Sequence, residues 1–128
     1  MKQNLPSGSK VVVVGGGVIG CSVAYHLANF GWKDVILLER DKLTSGTTWH
    51  AAGLVSQIGP SATITKIRKY SLDLYKELEK KIDHSAGLRL NGALSIAQDE
   101  GRWQELRRQA TTAQLYNFEV QILNKKQI

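Results

Sequence analysis

Two short apolar runs with an amphipathic stretch between them dominate the first third of the chain. Val11–Val14 is a continuous run of four β-branched residues, which is typical of a strand buried on both faces. Cys21–Phe30 carries apolar residues at helical spacing, and Val35–Leu38 is a second continuous apolar run. This pattern predicts a β-α-β unit of about 30 residues.

Helical and extended patterns alternate in the rest of the chain. Apolar residues at helical spacing predict helices over Ser61–Ile82 and Asp99–Tyr116. Leu88–Ala97 and Phe118–Leu123 instead predict short strands. The expected fold class is therefore α/β, with helix-strand-helix-strand elements after the β-α-β unit.

A glycine cluster lies between the first strand and its helix. Gly15, Gly17 and Gly20 have G-x-G-x-x-G spacing, and Glu39 ends the second strand 19 residues after Gly20. The first glycine permits a tight turn, the second lets a diphosphate approach the backbone, and the third lets the helix pack closely on the sheet. The carboxylate of Glu39 can accept hydrogen bonds from a ribose diol and would repel a 2′-phosphate. This context predicts a dinucleotide site that disfavours NADP, the alternative being a glycine-rich turn with no nucleotide.

The segment Thr44–Ser61 is rich in small and hydroxyl-bearing residues and has no clear helical or strand period. Small residues let backbone N–H groups come close to a ligand, and Thr47 and Thr48 add hydroxyl groups. Trp49 stands among them and is expected to be buried. These features favour a ligand-contacting loop over an ordinary linker.

Composition narrows the class of protein. The 128 residues are 42% apolar, which fits one globular domain, and the formal charge is +6. Because most basic clusters fall on polar helix faces, we expect a solvated surface and no nucleic-acid partner. No apolar run is long enough to span a membrane, and the polar N-terminus has no secretory pattern, so residues 1–9 are expected to be a disordered lead-in.

The single cysteine and two of the histidines carry weaker signals. Cys21 has no second cysteine to pair with and lies on the first turn of the predicted helix. A small packing residue is favoured there over a reactive thiol. His26 and His84 have no neighbours in the sequence that suggest a metal or catalytic role, so structural or solvent-facing roles are expected.

The sequence from Val11 to Val55 resembles the N-terminus of the FAD-dependent D-amino-acid oxidase-like oxidoreductases. The segment TSGTTWHAAGL is the specific part of this resemblance, and it is closest to the dimethylglycine and sarcosine dehydrogenase branch. The stretches YSLDLYKELEKKI, GALSIA and RWQELRRQA look like the continuation of the same proteins. The resemblance implies a Rossmann-like FAD-binding unit over residues 10–60 and the start of an incomplete FAD/substrate domain over residues 61–128.

The resemblance also implies roles for individual residues. Val18 and Ile19 would meet the FAD diphosphate, and Glu39 would hold the adenosine ribose with Arg40 beside it. His50 matches the histidine that is bonded to the 8α-methyl of the flavin in that branch, the alternative being a histidine that only packs near the flavin. The residues that would wrap the flavin and ribityl chain are Gly46, Thr47, Thr48, Trp49, His50, Ala51, Ala52, Gly53 and Leu54.

The implied activity is FAD-dependent oxidation of a small N-methylated amino acid such as dimethylglycine or sarcosine. Tetrahydrofolate is a further implied cofactor in a full-length parent only, and the electron acceptor is undefined. Because family members are far longer, the chain is expected to be an N-terminal fragment in which no catalytic residue can be named. The second hypothesis is a non-catalytic remnant, either a partial nucleotide-binding module or an unstable fragment, and for this chain alone it is favoured over turnover. An NAD-dependent dehydrogenase is the third hypothesis. A bacterial cytoplasmic location is expected, or the mitochondrial matrix for a eukaryotic source.

Overall fold

The computed structural model describes residues 6–82 and 85–128, which form two compact units. The first unit runs to Leu54 and the second begins at Val55. In chain order the elements are β1 (Val11–Val14), α1 (Val18–Asn29), β2 (Val35–Leu38), a single 3-10 turn (Thr47–His50), α2 (Ala62–Lys81) and α3 (Glu100–Gln114).

The first unit is built on the predicted β-α-β arrangement. Strands β1 and β2 are parallel, with Val11 opposite Val35 and Val14 opposite Leu38. Helix α1 packs against both strands, as the crossover of a parallel pair requires. The strand bounds agree with those predicted, whereas the helix begins at Val18, ahead of the apolar stripe that indicated it. The β-α-β prediction and the α/β fold class are confirmed.

One face of strand β1 is largely open to solvent. Val11 and Val13 are half-buried, but Val12 and Val14 are 51% and 82% exposed. Successive strand residues point to opposite faces, so the exposed pair lies on the side away from its half-buried neighbours. The expectation that Val11–Val14 is buried on both faces is therefore wrong for the described residues. A continuous apolar run shows that both faces of a strand could be buried favourably. It does not provide the elements that cover them, and here only one face of β1 is covered.

Helix α2 begins at a segment that folds back on its first turns. The Ser61 hydroxyl accepts a hydrogen bond from the Ile64 N–H at 3.3 Å and caps the helix. Thr65 is buried, and its hydroxyl accepts from the Gly59 N–H at 3.0 Å and donates to the Ser61 carbonyl at 2.9 Å. The Arg68 guanidinium donates to the Ile58 carbonyl at 2.6 Å. The Ser61 cap satisfies an N–H group that the helix itself leaves without a partner, and the other bonds tie the preceding segment to the first turns.

Helix α3 begins in a comparable way. The Asp99 carboxylate accepts from the Arg102 N–H at 2.7 Å, and Glu100 places a negative charge in the first turn. Ala113, near the end of this helix, is fully buried. The two helices predicted for the second half of the chain are thus confirmed to within two residues at each end.

The two strands predicted for the second half of the chain are wrong. Neither Leu88–Ala97 nor Phe118–Leu123 is in a strand in the structure. An extended segment becomes a strand only when its N–H and C=O groups pair with a neighbour, and β1 and β2 are the strands that pair among residues 6–82 and 85–128. Apolar residues of the first segment are accordingly exposed, with Leu90 at 65% and Ile96 at 64%.

Candidate dinucleotide-binding site

The glycine loop joins the end of β1 to the start of α1. Gly15 has φ 105°, a backbone conformation that favours glycine, and its N–H donates to the Leu38 carbonyl at 2.8 Å. A Cβ on Gly20 would collide with the Gly15 carbonyl oxygen, so only glycine lets α1 approach the loop this closely. The loop therefore aims the N-terminal N–H groups of a 12-residue helix at the carboxyl ends of the strands, where the helix dipole favours an anion.

Glu39 lies beside this loop and is held by two backbone donors. The Gly16 N–H donates to Oε2 at 2.6 Å, and the Asp41 N–H donates to Oε1 at 3.1 Å. These two hydrogen bonds, that from Gly16 foremost, hold the pKa of Glu39 below its usual value. A carboxylate has about four acceptor positions, so Glu39 keeps room for a further donor beyond these backbone groups. The two hydroxyl groups of a ribose are donors of the required kind.

Gly16 was not singled out by the sequence, yet it is the residue around which these contacts gather. It is buried, its N–H binds Glu39, and its carbonyl accepts from the Thr44 N–H at 2.9 Å. The Cys21 thiol lies 3.4 Å from the same carbonyl, which favours the packing interpretation of this cysteine. The signal that could have found Gly16 is the unbroken triplet Gly15–Gly17, whose middle position the fingerprint leaves free.

The 3-10 turn brings the hydroxyl-rich segment back to the glycine loop. The Thr48 hydroxyl accepts from the Val18 N–H at 2.9 Å, across a separation of 30 residues. A Cβ on Gly17 would lie 3.1 Å from that hydroxyl oxygen, so glycine leaves room for Thr48. The turn and the start of α1 are therefore parts of one site. Thr48 caps the helix where the N-cap residue, Gly17, has no side chain of its own.

The ring of His50 is oriented by the same turn. Its Nδ1 atom is 3.1 Å from the Gly46 carbonyl oxygen. A carbonyl can only accept, so this geometry favours the tautomer with the hydrogen on Nδ1. Nε2 then keeps its lone pair, and the side chain is exposed. The ring thus presents Nε2 to solvent within the segment expected to contact a flavin.

Other predicted site residues remain open to solvent. Trp49 is 78% exposed, so the expectation that it is buried is wrong, because no apolar surface among the described residues 6–54 covers its ring. Leu54 is 89% exposed and Ile19 is 78% exposed. The predicted site residues that are likewise exposed or only half-buried are Gly15, Gly17, Val18, Gly20, Glu39, Arg40, Gly46, Thr47, Thr48, His50, Ala51, Ala52 and Gly53.

The arrangement fits the adenosine diphosphate half of a dinucleotide. Backbone donors at the start of α1 suit a diphosphate, and the acceptor positions left on Glu39 suit a ribose diol. Both border the glycine loop, and a side chain on Gly17 would crowd it. In the part of the chain that the structure describes, no group of three or more His, Cys, Asp or Glu residues could hold a metal ion. The described helices also include none with the length and apolar character needed to cross a membrane.

Comparison with known proteins identifies the family to which this chain is similar. The family of FAD dependent oxidoreductases called DAO matches residues 10–128. The chain is 48% identical over 102 residues to 4-methylaminobutanoate oxidase (formaldehyde-forming) of Paenarthrobacter nicotinovorans, covering 80% of this chain and 12% of that protein. It is 40% identical over 123 residues to mitochondrial sarcosine dehydrogenase of Mus musculus, covering 95% of this chain and 13% of the relative.

A third relative is also similar to nearly the whole chain over a small part of its own length. Mitochondrial dimethylglycine dehydrogenase of Rattus norvegicus is 38% identical over 120 residues, covering 94% of this chain and 14% of that protein. The chain thus spans about an eighth of the length of each of these relatives. The match includes the glycine loop, Glu39 and the His50 turn. This chain therefore belongs to the DAO family of FAD-dependent oxidoreductases.

Proposed function

We propose that this chain binds FAD and serves the oxidation of small N-methylated amino acids, such as sarcosine, dimethylglycine or 4-methylaminobutanoate. The observation that carries the proposal is the convergence of the α1 N-terminus, Glu39 and the Thr48 turn on one glycine loop. The names of the three relatives supply the substrate class.

Each part of the site has a task in holding the cofactor. Val18 and Ile19, at the positive end of the α1 dipole, meet the diphosphate. The Ile19 N–H is the donor there, because the Val18 N–H already donates to the Thr48 hydroxyl. Glu39 accepts hydrogen bonds from the adenosine ribose, with Arg40 beside it. The segment Gly46–Leu54 lies along the flavin and ribityl chain. The flavin, when bound, supplies the group that accepts hydride from the N-methyl carbon of the substrate.

His50 is the residue that we assign to covalent attachment of the flavin. The hydrogen bond between Nδ1 and the Gly46 carbonyl supports this assignment, because it fixes the ring and leaves Nε2 with a lone pair. The ring is exposed, so a large planar group can reach it. A covalent bond would also keep the cofactor in place on a unit whose flavin-side residues have little cover of their own.

A second candidate function is dinucleotide binding without turnover. The exposed face of β1 favours it, because a sheet with one bare face is a poor independent core for a catalytic site. Tetrahydrofolate use in a full-length parent and a bacterial cytoplasmic location stay predictions, and the electron acceptor stays undefined.

Reduction of the bound cofactor separates the two candidates. The chain is loaded with FAD and mixed anaerobically with sarcosine, dimethylglycine or 4-methylaminobutanoate, and the flavin absorbance is followed. Bleaching by an N-methylated substrate but not by glycine supports oxidation. Stable absorbance with every substrate, on a chain that retains FAD, supports binding without turnover. Release of all flavin on gel filtration contradicts both candidates.

A further inference from the structure

Gly16 occupies the one position of the glycine triplet to which the dinucleotide fingerprint gives no task. It is nevertheless buried, and both of its backbone polar groups are engaged. Its N–H donates to Glu39 Oε2 at 2.6 Å, and its carbonyl accepts from the Thr44 N–H at 2.9 Å. Gly16 thus connects the loop that receives the diphosphate with the acid that receives the ribose.

The space around Gly16 admits no side chain without a shift of its neighbours. An added Cβ would lie 2.6 Å from Leu43 Cδ2, 3.0 Å from Glu39 Cβ and 3.1 Å from Glu39 Cγ. The Leu43 methyl group is the end of a flexible side chain and can turn away. Glu39 Cβ is fixed to the backbone at the end of β2, so relief there requires movement of the acid itself.

The position of the Glu39 carboxylate depends on this close approach. Gly16 and Asp41 each hold one carboxylate oxygen, which prevents the group from rotating and sets the directions of its remaining acceptor positions. Hydrogen bonds to a charged acceptor weaken steeply with misalignment, so a displaced carboxylate would lose part of its bond to a ribose hydroxyl.

We propose that Gly16 is a positioning residue for nucleotide selectivity: its missing side chain and its N–H hold Glu39 in the orientation that recognises the 2′-hydroxyl of the adenosine ribose. This inference rests on the proposed FAD site. It assigns a task to the middle glycine that is distinct from the turn made by Gly15 and the phosphate approach allowed by Gly17.

The test compares the affinities of ADP and 2′-deoxy-ADP for the 128-residue chain by isothermal titration calorimetry. The wild-type chain should prefer ADP by about tenfold, the value of one hydrogen bond to a charged group. Glu39→Ala should remove the preference for ADP. Gly16→Ala should bring the ratio of the two affinities close to one. The double variant should be no worse than Glu39→Ala alone, because both substitutions affect the same contact. Gly8→Ala is the matched control, since nothing lies within 4 Å of an added Cβ there, and it should retain the preference.

The possible failures are distinguishable. A wild-type chain that binds neither ADP nor FAD, or a preference that survives Glu39→Ala, would overturn the proposed site and this inference with it. A preference lost in Glu39→Ala but intact in Gly16→Ala would overturn the role of Gly16 alone. If Gly16→Ala loses its helical circular dichroism, Gly16→Ala/Leu43→Ala is measured instead, because it removes the atom nearest the added Cβ. If that variant also fails to fold, Gly16 serves folding and the inference is wrong.

Discussion

At the scale of single residues, Thr48 shows how one hydroxyl can join two distant parts of a sequence. It caps α1 from a turn that lies 30 residues further along the chain. A capping hydroxyl satisfies an N–H group that no helical carbonyl can reach. His50 belongs to the same 3-10 turn, so the contact that ties Thr48 to the start of α1 also ties the turn that carries His50. The cap and the proposed flavin attachment therefore depend on one short turn.

Thr48→Val should lower the free energy of unfolding of the β-α-β unit by about 1 kcal/mol, the usual cost of losing a capping side chain. Valine matches threonine in shape but leaves the Val18 N–H without its acceptor. Thr48→Ser should retain most of the stability because it retains the oxygen. Urea denaturation followed by circular dichroism measures the difference. Equal midpoints for the valine and wild-type chains would show that the hydrogen bond contributes nothing to the fold.

At the scale of elements, the first turns of α2 depend on a buried hydroxyl. Thr65 bonds the Gly59 N–H and the Ser61 carbonyl at once, in a site where water has little access. Thr65→Val should destabilise the second unit by about 1–3 kcal/mol, because it leaves a part-buried N–H without a partner. Thr63→Val, on an exposed position of the same turn, is the control and should change stability much less. Thermal unfolding of both variants gives the comparison, and similar losses in the two would contradict the prediction.

Helix α3 carries a pair of charges whose titration is a further test. Two Arg108 nitrogens donate to the Glu105 carboxylate, each at 2.8 Å, and Gln109 donates to it as well. These bonds, those from Arg108 foremost, lower the pKa of Glu105 from 4.5 to about 2. The ionised form is favoured in the folded chain, so any stability from this pair is present above pH 4.5 and is lost as the pH falls towards about 2.

Arg108→Ala should raise the pKa of Glu105 towards 4.5 but leave it below that value, since Gln109 still donates. Arg107→Ala, one residue away, should leave the pKa of Glu105 at about 2. Carboxyl carbon chemical shifts, followed by NMR through the acid range, report the titration of this one group. A Glu105 that titrates at the same pH in wild-type and Arg108→Ala chains would show that the ion pair does not form in solution.

At the scale of the whole molecule, the sequence predicted what local pattern determines and missed what tertiary contacts determine. The bounds of β1 and β2 followed from their apolar runs, and α2 and α3 followed from apolar residues at helical spacing. The segments Leu88–Ala97 and Phe118–Leu123 have strand-like composition but find no pairing partner among the described residues.

The candidate site divides in the same way. The glycine spacing and Glu39 could be read from the sequence because the fingerprint has a fixed length. The tasks of Gly16 and of the Thr48 cap could not, because they depend on contacts between residues 23 and 30 positions apart. The expectation of a buried Trp49 was wrong. A large apolar side chain makes burial favourable, but burial also requires another part of the protein to cover the side chain.

FAD binding by this chain and covalent attachment at His50 can be tested together. The most direct measurement is the visible absorbance of the chain after incubation with FAD, before and after acid precipitation, in wild-type and His50→Ala forms. We expect both forms to acquire flavin, and we expect only the wild-type pellet to remain yellow in acid. Flavin that acid releases fully from the wild-type chain, or that stays bonded in His50→Ala, would contradict the attachment. A wild-type chain that acquires no flavin at all would contradict the account as a whole.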